Sequence, residues 1–435
     1  MAATTRHAAA FERALIAAGF AVLFFLLPHA LKGDDWDRLN NVQQLVRDGH
    51  LTRSKFSDVQ ALLSAPFERI DEAFGSLDYL IARYNVVVVA VGTLVAFRIL
   101  RGRVEEALLR RVVLVLLFAS MATNLLRGYG AEVTTSVLVA VGMLGVVYGR
   151  RPSLGWAAIV VGVVNTPGAI GGLALAALTE AARVRRLRLV LPVAAAVALV
   201  GAEAWIRRGS PFDTGYGGDV GAPTVLPYSG RPEFSYPIVL GVLSILFSFG
   251  RGLAFYAPGL LFFLTAETRR VVPGRRLVVL LLAFLAGLVL LYAKWWAWYG
   301  GISWGPRFFV FAAIPASLVL AARLGRAGES AVADAGTLAV LLLSGWVSFT
   351  GATVDLYRLY LVCTKSLEAL CWYVPDFSSL WQPVLGFPPL PPRVAAYSAF
   401  AAAVVAYLAA PLVASVVRSL AARRHVLAWT RGWRL

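Results

Sequence analysis

At 435 residues, 59% of them hydrophobic and only 15% charged, the chain is too apolar for a soluble globular protein, in which about a quarter of residues are charged. Its net charge of +17 comes from 41 Lys and Arg against 24 Asp and Glu. The arginines fall in short segments between apolar runs, which is the positive-inside pattern of a membrane protein rather than a nucleic-acid surface. No run alternates like a strand of an outer-membrane barrel, and the absence of Walker A and GxGxxG fingerprints argues against nucleotide hydrolysis.

The first apolar run, 14–31, is 18 residues long. That is about 27 Å of helix, enough to cross a hydrocarbon core of about 30 Å. Arg6 and Arg13 precede it and no clean A-x-A site follows, so it reads as a retained first helix rather than a signal peptide. It delivers "KGDDWDR" to the far membrane surface and opens a first external loop, 32–76, with short amphipathic helices near Leu39–Val46 and Val59–Leu63.

Spans follow at about 77–97, up to 126 and up to 147, separated by the basic "RILRGRVEEALLRR", the turn "RGYGAE" and "GRRPS". Residues 154–182 leave and return through "NTPG", because "RVRRLR" beyond them is strongly basic. A seventh span to about 206 leads into a second external stretch, 207–258. Its first part is rich in Gly, Pro and Tyr; its second, Ile238–Pro258, is apolar but broken by glycines and reads as a re-entrant or interfacial segment.

An eighth span ends near 266 and a ninth at Lys294. The external "KWWAWYGGISWGPR", 294–307, precedes a tenth, and an eleventh at about 336–351 leads to a third external stretch, 352–393. A twelfth, about 394–417, ends in the basic cytoplasmic tail 418–435. The expectation is a single all-α polytopic membrane domain, 1–435, of about 12 transmembrane helices (11–13) with both ends inside. The two cysteines, Cys363 and Cys371, lie in the third external stretch, where a disulfide persists if it forms; their spacing leaves the pairing open.

The unusual polar residues crowd one face: Asp34, Asp35 and Asp37, the loop opening at Arg207, Arg251, and the motif ending at Arg307. A site there has no ATP or soluble sugar nucleotide to use, so its activated substrate must arrive in the membrane. These motifs resemble those of the C-type (GT-C) membrane glycosyltransferases, which use polyprenyl-phosphate sugars. In that superfamily an acidic pair follows helix one, here "GDDWDR", and many bacterial members carry a motif like W-x-W-Y-G-G-x-x-x-G-P-R, here "WAWYGGISWGPR", Trp296–Arg307. "GSPFDTGY" and "LFSFGRGLAFYAPGLL" also resemble stretches in bacterial relatives of protein O-mannosyltransferases and aminoarabinose transferases. The chain departs in having Asp-Asp where many relatives have Asp-Glu, with Asp37 two residues on.

The resemblance implies an inverting transfer of a monosaccharide from a polyprenyl-phosphate donor to a cell-envelope glycan, lipid or protein. It would take place on the periplasmic side of a bacterial inner (plasma) membrane. One carboxylate takes the acceptor's proton, with Asp35 the first choice and Asp34 the second. Fixed cations neutralise the leaving phosphate, with Arg307, Arg251, Lys294 and Arg207 as candidates. Trp296, Trp298, Tyr299, Tyr216 and Asp37 line the substrate. Asp37 could instead pair with Arg38 or join a divalent metal, which the acidic cluster leaves open. Glu203, near the outer end of the seventh span, is costly to bury and so draws attention, whereas His50 reads as a surface residue. The rival reading is a transporter or flippase of lipid-linked glycans, which would want ionisable residues near mid-membrane and paired repeats. The sequence shows few of the former and no repeat.

Overall fold

The computed structural model describes residues 2–76, 78–217, 225, 230–265, 274–301, 303–354, 361, 363, 367–386 and 389–432, with side chains from His7 to Ala422. The described secondary structure is helical throughout. Its helices of ten or more residues are α1 Ala2–Phe25, α2 Asp34–Asp48, α3 Val59–Phe74, α4 Tyr84–Leu100, α5 Glu106–Phe118, α6 Ala131–Tyr148, α7 Pro152–Asn165, α8 Ile170–Val184, α9 Leu191–Arg208, α10 Ile238–Phe247, α11 Arg275–Tyr292, α12 Ala313–Leu324, α13 Ala331–Thr353 and α14 Pro392–Gly432.

Among the described residues eight helical stretches are long and apolar enough to cross a membrane: His7–Phe25, Ile81–Leu100, Ala131–Tyr148, Leu187–Arg208, Arg275–Tyr292, Arg307–Leu324, Ala331–Thr353 and Pro392–Ala422. The shorter α5, α7 and α8 pack between them. The chain is an all-α polytopic membrane protein. The segment read as re-entrant or interfacial, Ile238–Pro258, and the start of the eighth expected span after it consist of short helical pieces. α10 stops at Phe247, a second piece covers Leu253–Tyr256, and a 3₁₀ segment runs Pro258–Leu264. Its interrupted backbone is covered by protein: Gly250 N–H donates to Trp372 O at 2.9 Å.

Two apolar cores hold the bundle. One gathers α6, α7, α8 and α11 around Leu173, Phe284 and Phe311; the other gathers α1, α5, α13 and α14 around Leu23, Leu114, Phe118 and Tyr397. At one end of the bundle, ion pairs tie the helices: Glu12 of α1 to Arg110 of α5 (2.5 Å), and Glu180 of α8 to Arg276 of α11 (2.6 Å). The other end carries the acidic segment.

The first helix ends at Phe25 rather than Leu31. Pro28 cannot continue it, and the chain to Gly33 is instead pinned against the 127–130 turn: Ala30 N–H donates to Arg127 O, and Arg127 Nε donates to Pro28 O. Asp34 then opens α2, with Asp34, Asp35 and Asp37 in its first turn, where the helix dipole favours acids.

α3 is polar on its buried face and apolar on its exposed one. Gln60, Ser64, Glu68 and Asp71 point inward, while Leu62, Leu63, Ile70 and Phe74 are exposed. The inward groups are used: Gln60 Nε2 donates to Tyr129 O (2.7 Å), and Asp71 accepts from Leu80 N (2.8 Å) and Ile81 N (3.1 Å) at the entry to α4. Such a helix suits the membrane interface, apolar stripe toward lipid. The basic tail is no separate segment: α14 continues through Gly432.

Candidate active site

The acidic pair is built by long-range contacts. Asn85 at the start of α4 donates from Nδ2 to the carbonyls of Leu125, Gly128 and Gly130 at 3.0–3.1 Å, which fixes the turn before α6. Asp35 lies beneath that turn. A Cβ on Gly128 would stand 2.6 Å from Asp35 Oδ2, so any larger residue there would displace the carboxylate. Asp35 Oδ2 also accepts from Lys32 N–H at 3.3 Å.

Asp34 faces the other way. Its Oδ2 accepts from Arg307 Nη2 at 2.5 Å, joining the start of α2 to the "GPR" motif that precedes α12. The two carboxyls therefore titrate apart. Burial alone would raise Asp34, but Arg307, with Arg38 and Lys55, more than offsets it and holds the group below the usual carboxylate range. Burial dominates at Asp35 and pushes it up to about 6, helped by nearby Glu132 and opposed by the backbone N–H donors of Tyr129 and Lys32.

Asp35 carries a stability prediction. The folded state holds its proton up to about pH 6, whereas an unfolded Asp loses it near 3.9. Between those values the folded state binds more protons, so ionising Asp35 costs stability as pH rises from about 4 to about 6. Asp35→Asn keeps an acceptor and removes that cost. Thermal melts of the variant in detergent are expected to be flatter over this window and no lower than wild type at pH 7.5. A wild-type slope retained in the variant would contradict the assignment.

The remaining candidates divide. Arg251 is 5% exposed and donates from Nη1 to Gly250 O and from Nη2 to Gly301 O. It has no carboxylate partner among the described residues, lies within electrostatic reach of Arg307, and its Nε is buried without an acceptor, as is Nε of Arg307. Trp296 is partly buried beside Trp295 and Tyr299, its indole N–H also without an acceptor. Tyr299 stacks on Trp372 with ring centroids 3.7 Å apart. Tyr216 packs edge-on against Trp295 with Lys55 Nζ 5.0 Å from its ring centre, and burial raises its hydroxyl.

Four further candidates are engaged elsewhere or stand apart from these groups. Arg207 is no free phosphate ligand. Its side chain is 1% exposed and fully engaged with Glu203 and Asp58 and with the carbonyls of Thr52, Ser54 and Phe56. It braces the 52–58 loop on α9, and Glu203 belongs to the same brace, accepting from Ser57 Oγ and Asp58 N–H. Trp298 is 1% exposed, enclosed by Tyr236, Trp372 and Tyr373, and so is core rather than lining. Lys294 is exposed; its carbonyl accepts from Tyr236 N–H. Asp37 is exposed and makes no pair with Arg38, which turns inward over Phe56 with Cζ 4.1 Å from the ring centre. Among the described residues no group of three or more His, Cys, Asp or Glu is placed to hold a metal. Parts of the second and third external stretches, including 218–224 and 355–360, lie outside the described residues.

Sequence reasoning missed Arg38 and Glu132. Arg38 is 8% exposed, with Nε and Nη1 lacking acceptors. Glu132, buried at the start of α6, is within electrostatic reach of Asp35 and Arg307. An acid two residues after "GYG" was the available signal, but only the fold brings it to Asp35. The cysteines are bonded, Cys363 to Cys371. The helix that carries Cys371, Glu368–Tyr373, holds Trp372 against Tyr299.

The overall fold recurs among solved structures. Two solved structures of ArnT from Cupriavidus metallidurans share it. One is in the apo state, with a TM-score of 0.54 at 15% identity; the other is bound to undecaprenyl phosphate, with a TM-score of 0.50 at 14% identity. Each comparison covers 93% of this chain and 78% of the other. No protein-family model and no curated protein sequence matches the chain.

Proposed function

We propose that the chain is an inverting glycosyltransferase. It moves a monosaccharide from a polyprenyl-phosphate donor to a hydroxyl of a cell-envelope glycan, lipid or protein. The observation that carries this reading is two neighbouring arginines, part-buried Arg307 and buried Arg251, with an acid at one end of the bundle. Arg307 and Arg251 hold buried N–H donors without acceptors, and only Asp34 forms an ion pair with either of them among the described residues. Buried donors normally find acceptors, so this excess suits an incoming anionic group such as a phosphate. The undecaprenyl phosphate bound to the ArnT structure supports a lipid carrier of that class.

Asp34 is the better base, reversing the order expected from sequence. It is held ionised by Arg307, whereas Asp35, likewise partly exposed, lies against the 127–130 turn and holds its proton up to about pH 6. In the proposed step Asp34 takes the acceptor's hydroxyl proton as the oxygen attacks the anomeric carbon from the face opposite the phosphate. The bond from that carbon to the phosphate oxygen breaks, its electron pair leaves on the phosphate, and Arg307 and Arg251 take up the charge.

Sidedness is part of the proposal. The arginine-rich segments Arg98–Arg111, Arg150–Arg151 and Arg183–Arg188 lie at the end opposite the acids, which supports a cytoplasmic location there. The disulfide lies beside the site end, consistent with an oxidising, periplasmic face of a bacterial inner membrane.

Binding of undecaprenyl phosphate to the purified protein tests the anion site without requiring the sugar. Arg251→Gln is expected to weaken it by about 10–100-fold, the worth of a lost charged hydrogen bond, with the variant's melt confirming that it is folded. Unchanged affinity in a folded variant would remove Arg251 from the site.

A further inference from the structure

Toward the end opposite the acid pair, α6 and α7 pack on glycine. A Cβ on Gly142 would stand 2.6 Å from Gly155 O, and one on Gly155 would stand 2.5 Å from Gly142 O, so the backbones are nearly in contact. Along this glycine seam, beside the end of α4, lies a cleft of about 340 Å³. Ile99, Val141, Leu154 and Ala158 wall it, and Arg150 and Arg151 lie at its mouth. Both arginines are exposed, and neither side chain has an ion pair or hydrogen-bond partner among the described residues. No acid lines the cleft.

Two facts restrict the occupant. The helices forming the cleft include two membrane spans, α4 and α6, so its apolar wall faces hydrocarbon rather than another domain. Two guanidiniums at the rim, beside the positive end of the α7 dipole, attract an anion at headgroup depth. A soluble anion would satisfy the arginines and leave the wall uncovered, and a neutral lipid would do the reverse. We propose that this cleft binds one acidic phospholipid, with its phosphate between Arg150 and Arg151 and its first methylenes against Ile99, Val141, Leu154 and Ala158. The site lies at the far end of α6 from Glu132 and Asp35, so lipid binding there is independent of the glycosyltransferase reading.

The test uses the intact protein in detergent with phosphatidylglycerol or phosphatidylcholine added, read by native mass spectrometry and thermal melts. Phosphatidylglycerol is expected to stay bound and raise the melting temperature, while phosphatidylcholine does neither. Arg150→Gln combined with Arg151→Gln is expected to lower phosphatidylglycerol retention by about tenfold or more, with an unchanged melt in lipid-free detergent. Ala158→Phe, which fills the cleft and leaves both arginines, is expected to lower it too. Equal retention of the two lipids by wild type, or phosphatidylglycerol retention unchanged in either variant, would overturn the proposal.

Discussion

Asp34→Asn is expected to lower the rate of sugar transfer by about 10²–10⁴-fold, the usual worth of a positioned general base. Donor affinity should hold or tighten. Arg307 Nη2 donates to Asp34 Oδ2 at 2.5 Å, and removing that charge leaves the guanidinium to the phosphate. The pH profile separates the two aspartates. A carboxyl held below its usual range stays ionised as pH falls, so with Asp34 as base the wild-type rate should be flat from about pH 8 to about pH 5 on the base limb. If Asp35 were the base, the rate would fall with a midpoint near 6. Initial rates at saturating donor, for wild type, Asp34→Asn and Asp35→Asn across that range, give the answer. An active Asp34→Asn would rule Asp34 out.

Arg307→Ala is expected to be comparably severe, with a loss of about 10²–10³-fold in kcat from removal of a charge that stabilises the leaving phosphate. It should also weaken donor binding, which Asp34→Asn should not. Arg307→Lys is expected to recover only part of the loss. A lysine supplies charge but not the planar fork that can hold a carboxylate and a phosphate oxygen together. If Arg307→Ala changed the melting temperature but neither kcat nor donor affinity, its contact with Asp34 would be a structural clamp between α2 and the start of α12.

Both variants rest on a contact between residues 273 apart in sequence. Its two ends were legible. Three acids just after an apolar run mark a helix start, and an arginine after Gly-Pro cannot belong to the preceding helix. Topology put both on one face, but that they meet as an ion pair was not legible in the sequence. Periodicity and length gave the helices and their order, because a hydrocarbon solvent constrains both. They misplaced the end of α1, where Pro28 and the 127–130 turn divert the chain at Phe25.

The errors share one cause. Arg207 looked free because its acceptors, the carbonyls of Thr52, Ser54 and Phe56, come from a loop about 150 residues earlier. Trp298 and Trp296 are two residues apart in one motif, yet the first is enclosed by Trp372 and Tyr373 from the third external stretch and the second is not. Glu132 went unremarked because a lone acid at a helix start is common. In each case a residue's chemistry was visible and its surroundings were not.

The most direct test of the account is transfer itself. Purified protein would be supplied with a panel of radiolabelled polyprenyl-phosphate sugars and envelope glycan, lipid and protein acceptors. The expected result is that one donor is consumed, that its sugar appears on an acceptor with inverted anomeric configuration, and that Asp34→Asn, folded and still binding undecaprenyl phosphate, forms no product. If no donor is consumed while labelled lipid-linked sugar crosses proteoliposomes in a protein-dependent way, the chain is a flippase on this fold and the proposed chemistry is wrong.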